Sequence, residues 1–209
     1  MILVFGKTGQ VATELQLLGD VLVLGRDQAD LSDPVVCVHA IRALTPRAVI
    51  NAAAYTAVDK AEEEEGLATI INGDAPTAIA QACAEMQIPL VHISTDYVFD
   101  GSGKEPWKPS DTTAPQNAYG RSKLVGEEGI LGSGATHAIL RTSWVVSAYG
   151  TNFVKTMLRL SETRDTLSIV GDQYGGPTPA RDIARACLMI AKHLQEDPSK
   201  SGTYHYSGA

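Results

Sequence analysis

The chain has 209 residues, 44% of them hydrophobic and 20% charged, enough for one domain, or one and a fraction, with a sizeable core. With 17 basic and 24 acidic residues its formal net charge is −7, which is not the footprint of a duplex-DNA binder, although a local site can still hold a nucleotide. No apolar run approaches the about 20 residues that cross a bilayer, and the opening MILVFGKTGQ lacks the basic start and long apolar stretch of a signal peptide.

The elements alternate along the chain. Apolar runs bounded by turn residues recur at Ile2–Phe5, Val21–Leu24, Ala48–Asn51, Leu90–Ser94, Ala138–Thr142, Leu167–Val170 and Thr203–Tyr206. Most are continuous, as in strands covered on both faces. Helical segments are expected at Val35–Leu44, Ala75–Met86, Ala118–Leu131, Asn152–Glu162 and Ala180–Leu194; Asp33 and Pro34 supply a cap and a first-turn residue for the first of these. Strand–helix–strand repetition requires crossovers, so the chain reads as an α/β fold with a helix-covered parallel sheet. The longest irregular stretch, about Asp100–Gln116, is long enough to be functional. Cys37, Cys83 and Cys187 are odd in number and widely spaced. They read as buried small hydrophobes in a reducing compartment, which favours a cytoplasmic protein.

The first strand runs into Gly6-Lys7-Thr8-Gly9-Gln10-Val11-Ala12. Glycines permit a sharp turn and a close backbone approach, and a helix N-terminus offers free N–H groups to a pyrophosphate. The spacing is neither Gly-x-Gly-x-x-Gly nor a Walker loop, so alone it is equally a plain strand–turn–helix corner. Beyond the second strand, Arg26 either pairs with a 2′-phosphate or is a solvated arginine, which leans the cofactor toward NADPH with NADH as the alternative. Asp30 and Leu31 stand about 20 residues past the turn, where ribose or adenine contacts belong.

Tyr119 and Lys123 are four residues apart on an expected helix, hence on one face. An ammonium beside a phenol favours the phenolate, so Lys123 is expected to lower the Tyr119 pKa toward the working range. Thr95 follows the strand Leu90–Ser94, at a strand's carboxyl end, where open α/β sheets bind ligands. Its hydroxyl can polarise a carbonyl while Tyr119 delivers a proton. Asp96 is either a sugar ligand or a turn cap, and Trp144 either stacks on a ligand or fills the core. Glu62–Glu65 reads as a solvated helix start, and His92 as a hydrogen-bonded core residue. His39, His137, His193 and His205 show no ligand spacing.

A glycine-rich first turn, a Ser/Thr after a later strand and Tyr-x-x-x-Lys together resemble an extended short-chain dehydrogenase/reductase. The strings FGKTGQVA, NAAAYTAVDKAE, HISTDYVFDG, APQNAYGRSKLVGE, LRTSWV, NFVKTML and DQYGGPTPA, spread in order from residue 5 to residue 180, resemble the dTDP-4-dehydrorhamnose reductase family. The resemblance implies a doubly wound, Rossmann-like fold. Residues 1–145 would bind NAD(P), and 146–209 would add to the sheet and to a small, incomplete C-terminal substrate lobe. It implies a catalytic set of Thr95, Tyr119 and Lys123. Gly6, Gly9, Gln10 and Val11 would hold the pyrophosphate. Asp30 and Leu31, with Ala54, Tyr55 and Thr56, would line the adenosine and ribose side. Asp96 and Trp144 would meet the sugar nucleotide. The reaction implied is hydride transfer from NAD(P)H to C4 of dTDP-4-dehydro-L-rhamnose, giving dTDP-L-rhamnose for cell-surface polysaccharide.

Three departures modify this. The third glycine of the turn is Ala12. Family members bind Mg²⁺ at a dimer interface through glutamates; Glu14 matches one, but Arg181 replaces another, so no metal is expected. Family members also continue past position 209, so cofactor binding is expected to be better preserved here than substrate binding. The implied partner is a dTDP-sugar, with a homodimer open and neither nucleic acid nor membrane involved. A related epimerase or dehydratase is the enzymatic alternative, but Thr95-Asp96 precedes Tyr97 where dehydratases carry Glu. The non-catalytic alternative is a regulatory subunit of methionine adenosyltransferase.

Overall fold

A computed structural model describes residues 1–208. Its strands are β1 (Ile2–Phe5), β2 (Val21–Leu24), β3 (Ala48–Asn51), β4 (Leu90–Thr95), β5 (His137–Thr142), β6 (Val145–Val146), β7 (Thr178–Pro179) and β8 (Gly202–His205). Its helices are α1 (Gln10–Leu18), α2 (Pro34–Leu44), α3 (Val58–Ala61), α4 (Glu65–Thr69), α5 (Ala75–Glu85), α6 (Ala118–Gly132), α7 (Phe153–Ser161) and α8 (Ala180–Glu196). Six strands form one parallel sheet in the order β2-β1-β3-β4-β5-β8. The order reverses between β1 and β3, the point at which a crevice opens outside the strands' carboxyl ends.

Side chains alternate across each strand, and both faces are apolar. Leu3, Phe5 and Val49 pack on one side with Cys37, Ile41, Ile79 and Cys83 of α2 and α5 and Ile130 of α6. Val4, Ala48 and Ile50 pack on the other with Leu15 of α1 and Ile183, Cys187 and Ala191 of α8. Continuous apolar strands are what a sheet covered on both faces requires. The three cysteines are buried and free. No helix among the described residues is long and apolar enough to cross a membrane.

One expected strand is absent. Leu167–Val170 forms no strand, and Ile169 and Val170 are exposed. A β-branched run acquires a ladder only where an edge is available, and the sixth place in the sheet is taken by β8, which pairs with β5. The segment from Val145 to Pro179 stands outside the main sheet. It holds α7 and a separate two-stranded pair, β6 with β7.

Candidate active site

The dinucleotide side begins at the first turn. Gly6 has φ +110°, and a Cβ there would lie 3.2 Å from the backbone of Ala52 and Ala53. Only glycine meets both conditions without strain. Gly9 precedes α1 with no side-chain cap, and the first turn of α1 has no acidic residue. Its leading N–H groups are thus free for an anion, aided by the helix dipole. Beside the turn, Gly6, Leu24, Arg26, Ala29, Asp30, Leu31, Ala53, Ala54 and Ile71 line one cleft. Arg26 is well exposed and only loosely paired, its Nε 3.8 Å from an Asp30 oxygen. These residues fit a dinucleotide: a glycine cradle for the phosphates, an apolar slot for a base and an exposed cation at its mouth.

The remaining sequence-predicted cofactor residues differ in what they can offer. The Val11 side chain is buried in the α1–α8 core, so only its backbone can face a ligand. Gln10 points across the molecule: its Nε2 donates to the Val145 carbonyl at 3.3 Å and its Oε1 accepts from Asn152 Nδ2 at 3.0 Å. Tyr55 is half-buried, its hydroxyl donating to Glu64 at 2.8 Å, and Thr56 is exposed. Asp30 accepts from the Ser32 N–H at 2.9 Å.

The catalytic candidates lie at the carboxyl ends of β4 and β5 and on α6. Thr95 closes β4 in register with Thr142 of β5. The Thr95 hydroxyl donates to Asp96 at 3.1 Å, accepts from the Tyr97 N–H at 3.2 Å and lies near the Tyr119 phenol. Tyr119 sits in the first turn of α6, capped by Asn117, whose side chain accepts from the Gly120 N–H at 2.7 Å. Its ring meets Tyr97 edge-on at 5.5 Å. A Cβ on Gly120 would land on the Tyr97 carbonyl, so glycine lets α6 close onto the Asp96–Val98 turn. Burial raises the Asp96 carboxyl above its usual range, against the hydrogen bonds it accepts.

Lys123 lies one helical turn on and is buried to 1% exposure. Its Nζ donates to the Ile93 carbonyl at 2.8 Å and lies 3.0 Å from His92 Nε2. Burial lowers its pKa to about 8, and the Glu127 carboxylate opposes that shift. The expected lowering of Tyr119 by Lys123 is not what the structure shows. Burial pushes the Tyr119 phenol up to about 12, while the Lys123 nitrogen is engaged by Ile93 and His92. Desolvation dominates where the amine is directed elsewhere, and the phenol is held protonated, ready to act as an acid.

Trp144, two residues past β5, has φ +50°, a strained conformation for a bulky residue. Its ring meets Phe153 edge-on at 5.6 Å, and together with Val145, Val146, Asn152, Val154 and Pro177 the two line a second, apolar pocket. A Cβ on Gly175 would collide with its indole.

Other contacts escaped the sequence reading. Glu62–Glu65 is not merely a solvated helix start: Glu62 accepts from the Ala118 N–H at 2.8 Å and Glu65 holds Arg121 through two hydrogen bonds. The run pins the start of α6. Glu127 and Arg141 form an ion pair with side chains 1% and 7% exposed, with Ser94 donating to the same carboxylate at 2.5 Å. Arg141 also donates to the Pro109 carbonyl and lies 5.0 Å over Phe99, which stacks on Trp107. This fastens the long loop that the sequence singled out. The buried Thr142 hydroxyl has no partner among the described residues. Its position beside Thr95 shows only in the strand register. Glu14, the one residue matching a metal ligand by resemblance, accepts from Ser147 at 3.3 Å.

Comparison with known proteins agrees with this arrangement. A family profile described as RmlD substrate binding domain matches residues 1–209. dTDP-4-dehydrorhamnose reductase from Sinorhizobium fredii is 45% identical over 99% of this chain and 72% of that protein. The enzyme of that name from Salmonella typhimurium is 44% identical over 98% of this chain and 71% of its own length. The structure of the Bacillus anthracis dTDP-4-dehydrorhamnose reductase in complex with NADP superposes with a TM-score of 0.90 at 36% identity, covering 100% of this chain and 74% of that one. A UDP-glucose 4-epimerase from Brucella ovis in complex with NAD shares the fold, with a TM-score of 0.80 at 19% identity, over 99% of this chain and 77% of that one. The doubly wound sheet, the glycine turn at its switch point and identities of this size over nearly all of the chain place it in the dTDP-4-dehydrorhamnose reductase family.

Proposed function

We propose that this protein is a cytoplasmic, NADPH-dependent reductase of the C4 keto group of dTDP-4-dehydro-L-rhamnose, forming dTDP-L-rhamnose for cell-surface polysaccharide. NADH is the weaker alternative. The observation that carries the chemistry is the placing of Thr95 at the carboxyl end of β4 beside Tyr119 in the first turn of α6, with Lys123 buried one helical turn behind.

NADPH, when bound, supplies the hydride. The ketone oxygen takes up the negative charge, and it must sit where both hydroxyls reach it. Thr95 donates a hydrogen bond to that oxygen, and Tyr119 transfers its proton to it. The raised pKa of Tyr119 keeps the proton in place until the oxygen becomes basic enough to take it. The Lys123 ammonium, once turned from Ile93, stabilises the phenolate left behind and holds ribose hydroxyls. Asp96, bonded to Thr95, holds that hydroxyl's orientation and can accept from a sugar hydroxyl. Trp144 supplies an apolar face for the sugar nucleotide. Gly6, Gly9 and the backbone N–H groups of Gln10 and Val11 hold the pyrophosphate. Asp30, Leu31, Ala54, Tyr55 and Thr56 line the adenosine and ribose side, with Arg26 at the 2′-phosphate.

The test is NADPH oxidation on dTDP-4-dehydro-L-rhamnose by the purified protein, with Tyr119→Phe alongside. Loss of a positioned acid is expected to lower kcat about 100-fold or more. Turnover undiminished by Tyr119→Phe refutes the mechanism. Tight NADP(H) binding without any turnover refutes the enzymatic reading in favour of a regulatory subunit.

A further inference from the structure

Behind Lys123 lies a buried chain of polar groups that the reaction as described does not use. Asn51 ends β3, His92 lies beside it on β4, and both are buried to 1% exposure or less. Asn51 Oδ1 accepts from the Ala53 N–H at 3.2 Å. That fixes the amide, so Asn51 Nδ2 faces His92 Nδ1, also at 3.2 Å. An amide nitrogen only donates, so Nδ1 is the acceptor and the ring proton sits on Nε2. Nε2–H then points at Lys123 Nζ, 3.0 Å away, and requires its lone pair. The arrangement therefore belongs to the neutral amine of Lys123, which still donates to the Ile93 carbonyl.

The ammonium needs the opposite arrangement. It has only donors, so His92 Nε2 must accept, the ring proton must move to Nδ1, and Asn51 must turn its oxygen toward it. Turning the amide takes Oδ1 away from the Ala53 N–H. Ala53 and Ala54 line the dinucleotide cleft together with Gly6, and a Cβ on Gly6 would lie 3.2 Å from the Ala53 nitrogen. Charging Lys123 thus breaks a bond in the cofactor's own wall. The other ionisable groups near the pair are Glu127 one turn along α6, neutralised by Arg141, and Tyr119 one turn before. Neither can substitute for the imidazole, since both lie on the helix and not on the β3 side.

We propose that Asn51 and His92 are positioning residues that couple the charge on Lys123 to the Ala53–Ala54 wall of the dinucleotide cleft. The coupling is thermodynamic and therefore reciprocal: a ligand that reshapes that wall alters the proton affinity of Lys123, and the proton alters the wall. With Lys123 titrating near pH 8, both arrangements are populated around neutrality. The inference takes its meaning for catalysis from the reductase reading, but the two are separable by experiment.

The test is an NMR titration of the intact chain with ¹³Cε-labelled lysine and ¹⁵N backbone, without and with NADP⁺, together with NADP⁺ affinity against pH. In the wild type the Ala53 amide is expected to titrate with the same midpoint as Lys123, and NADP⁺ to shift both together. An aspartate at 51 accepts from Ala53 and His92 at once and needs no turning. Asn51→Asp is therefore expected to raise the Lys123 midpoint by about one pH unit or more and leave the Ala53 amide silent. Asn51→Ala, which does not bury a new charge, is expected to silence Ala53 as well. An Ala53 amide indifferent to the Lys123 titration in the wild type overturns the proposal, even if Asn51→Asp does not fold. So does a common titration that persists in Asn51→Ala. None of these readings requires turnover: a coupled titration in a protein that reduces no sugar sinks the reductase reading alone, and an uncoupled one in an active enzyme sinks only this inference.

Discussion

Replacing Glu127 with glutamine keeps the shape of the side chain and removes its charge. In the wild type Arg141 Nε donates to Glu127 at 3.0 Å and Nη2 at 2.6 Å, while Ser94 donates to the same carboxylate. A glutamine presents one oxygen, and its amide nitrogen then faces a guanidinium N–H, donor against donor. Arg141 is left as a buried, uncompensated cation, because with the pair 7% and 1% exposed there is little solvent to replace the lost partner. Breaking a buried pair from one side costs about 3–5 kcal/mol. For a chain of this size that is a fall in Tm of about 10 °C. Differential scanning calorimetry at neutral pH measures it. The double substitution Glu127→Leu/Arg141→Met, which leaves no orphan charge, is expected to return to within about 2 kcal/mol of the wild type. A glutamine variant that melts within about 2 °C of the wild type refutes the reasoning, because the desolvated cation would then have found other compensation.

Three further outcomes follow from the same geometry. The folded-state pKa of Lys123 is lowered from 10.5 to about 8, so below pH 8 both folded and unfolded chains hold the proton and the full cost of burial stands. Between pH 8 and 10.5 the folded chain discharges first, and stability is expected to rise by ~3 kcal/mol relative to Lys123→Met in urea titrations; parallel curves refute the shift. Gly120→Ala pushes α6 off the Tyr97 carbonyl beside Tyr119, and a displacement of that order is expected to lower kcat/KM about 10- to 100-fold while costing about 1–3 kcal/mol of stability. Arg26→Ala is expected to weaken NADPH binding about tenfold or more, as loss of a charge-assisted bond does, with NADH binding unchanged; equal losses in calorimetric titrations of both cofactors remove Arg26 from the 2′-phosphate.

Local pattern carried much of the fold. Continuous apolar runs gave β1 to β5, and the helices from Pro34, Ala75, Ala118, Phe153 and Ala180 start within a residue of where caps, prolines and periodicity placed them. The failure at Leu167–Val170 has a general cause: strand propensity states that a segment fits a sheet, not that an edge is available to it. The same limit applied at the site. Tyr119 and Lys123 share a face because helical spacing requires it, yet the direction of the Tyr119 pKa depended on what surrounds each group. Burial and the Ile93 carbonyl are not legible in a four-residue interval. Glu62–Glu65 looked solvated because its partners, Ala118 and Arg121, lie more than 50 residues away.

By itself the sequence determined the alternation of elements, the glycine that the first turn needs and the residue types capable of proton transfer at a ketone, since each follows from backbone geometry or side-chain chemistry within a few positions. Only the tertiary structure decided which of them meet. It brought Thr95 and Tyr119 together at the carboxyl ends of the strands, set Asn51 and His92 behind Lys123, and closed Glu127 on Arg141. Those outcomes rest on desolvation and on contacts across strands and helices, where the free energy of a charge depends on all its neighbours at once and not on its place in the chain.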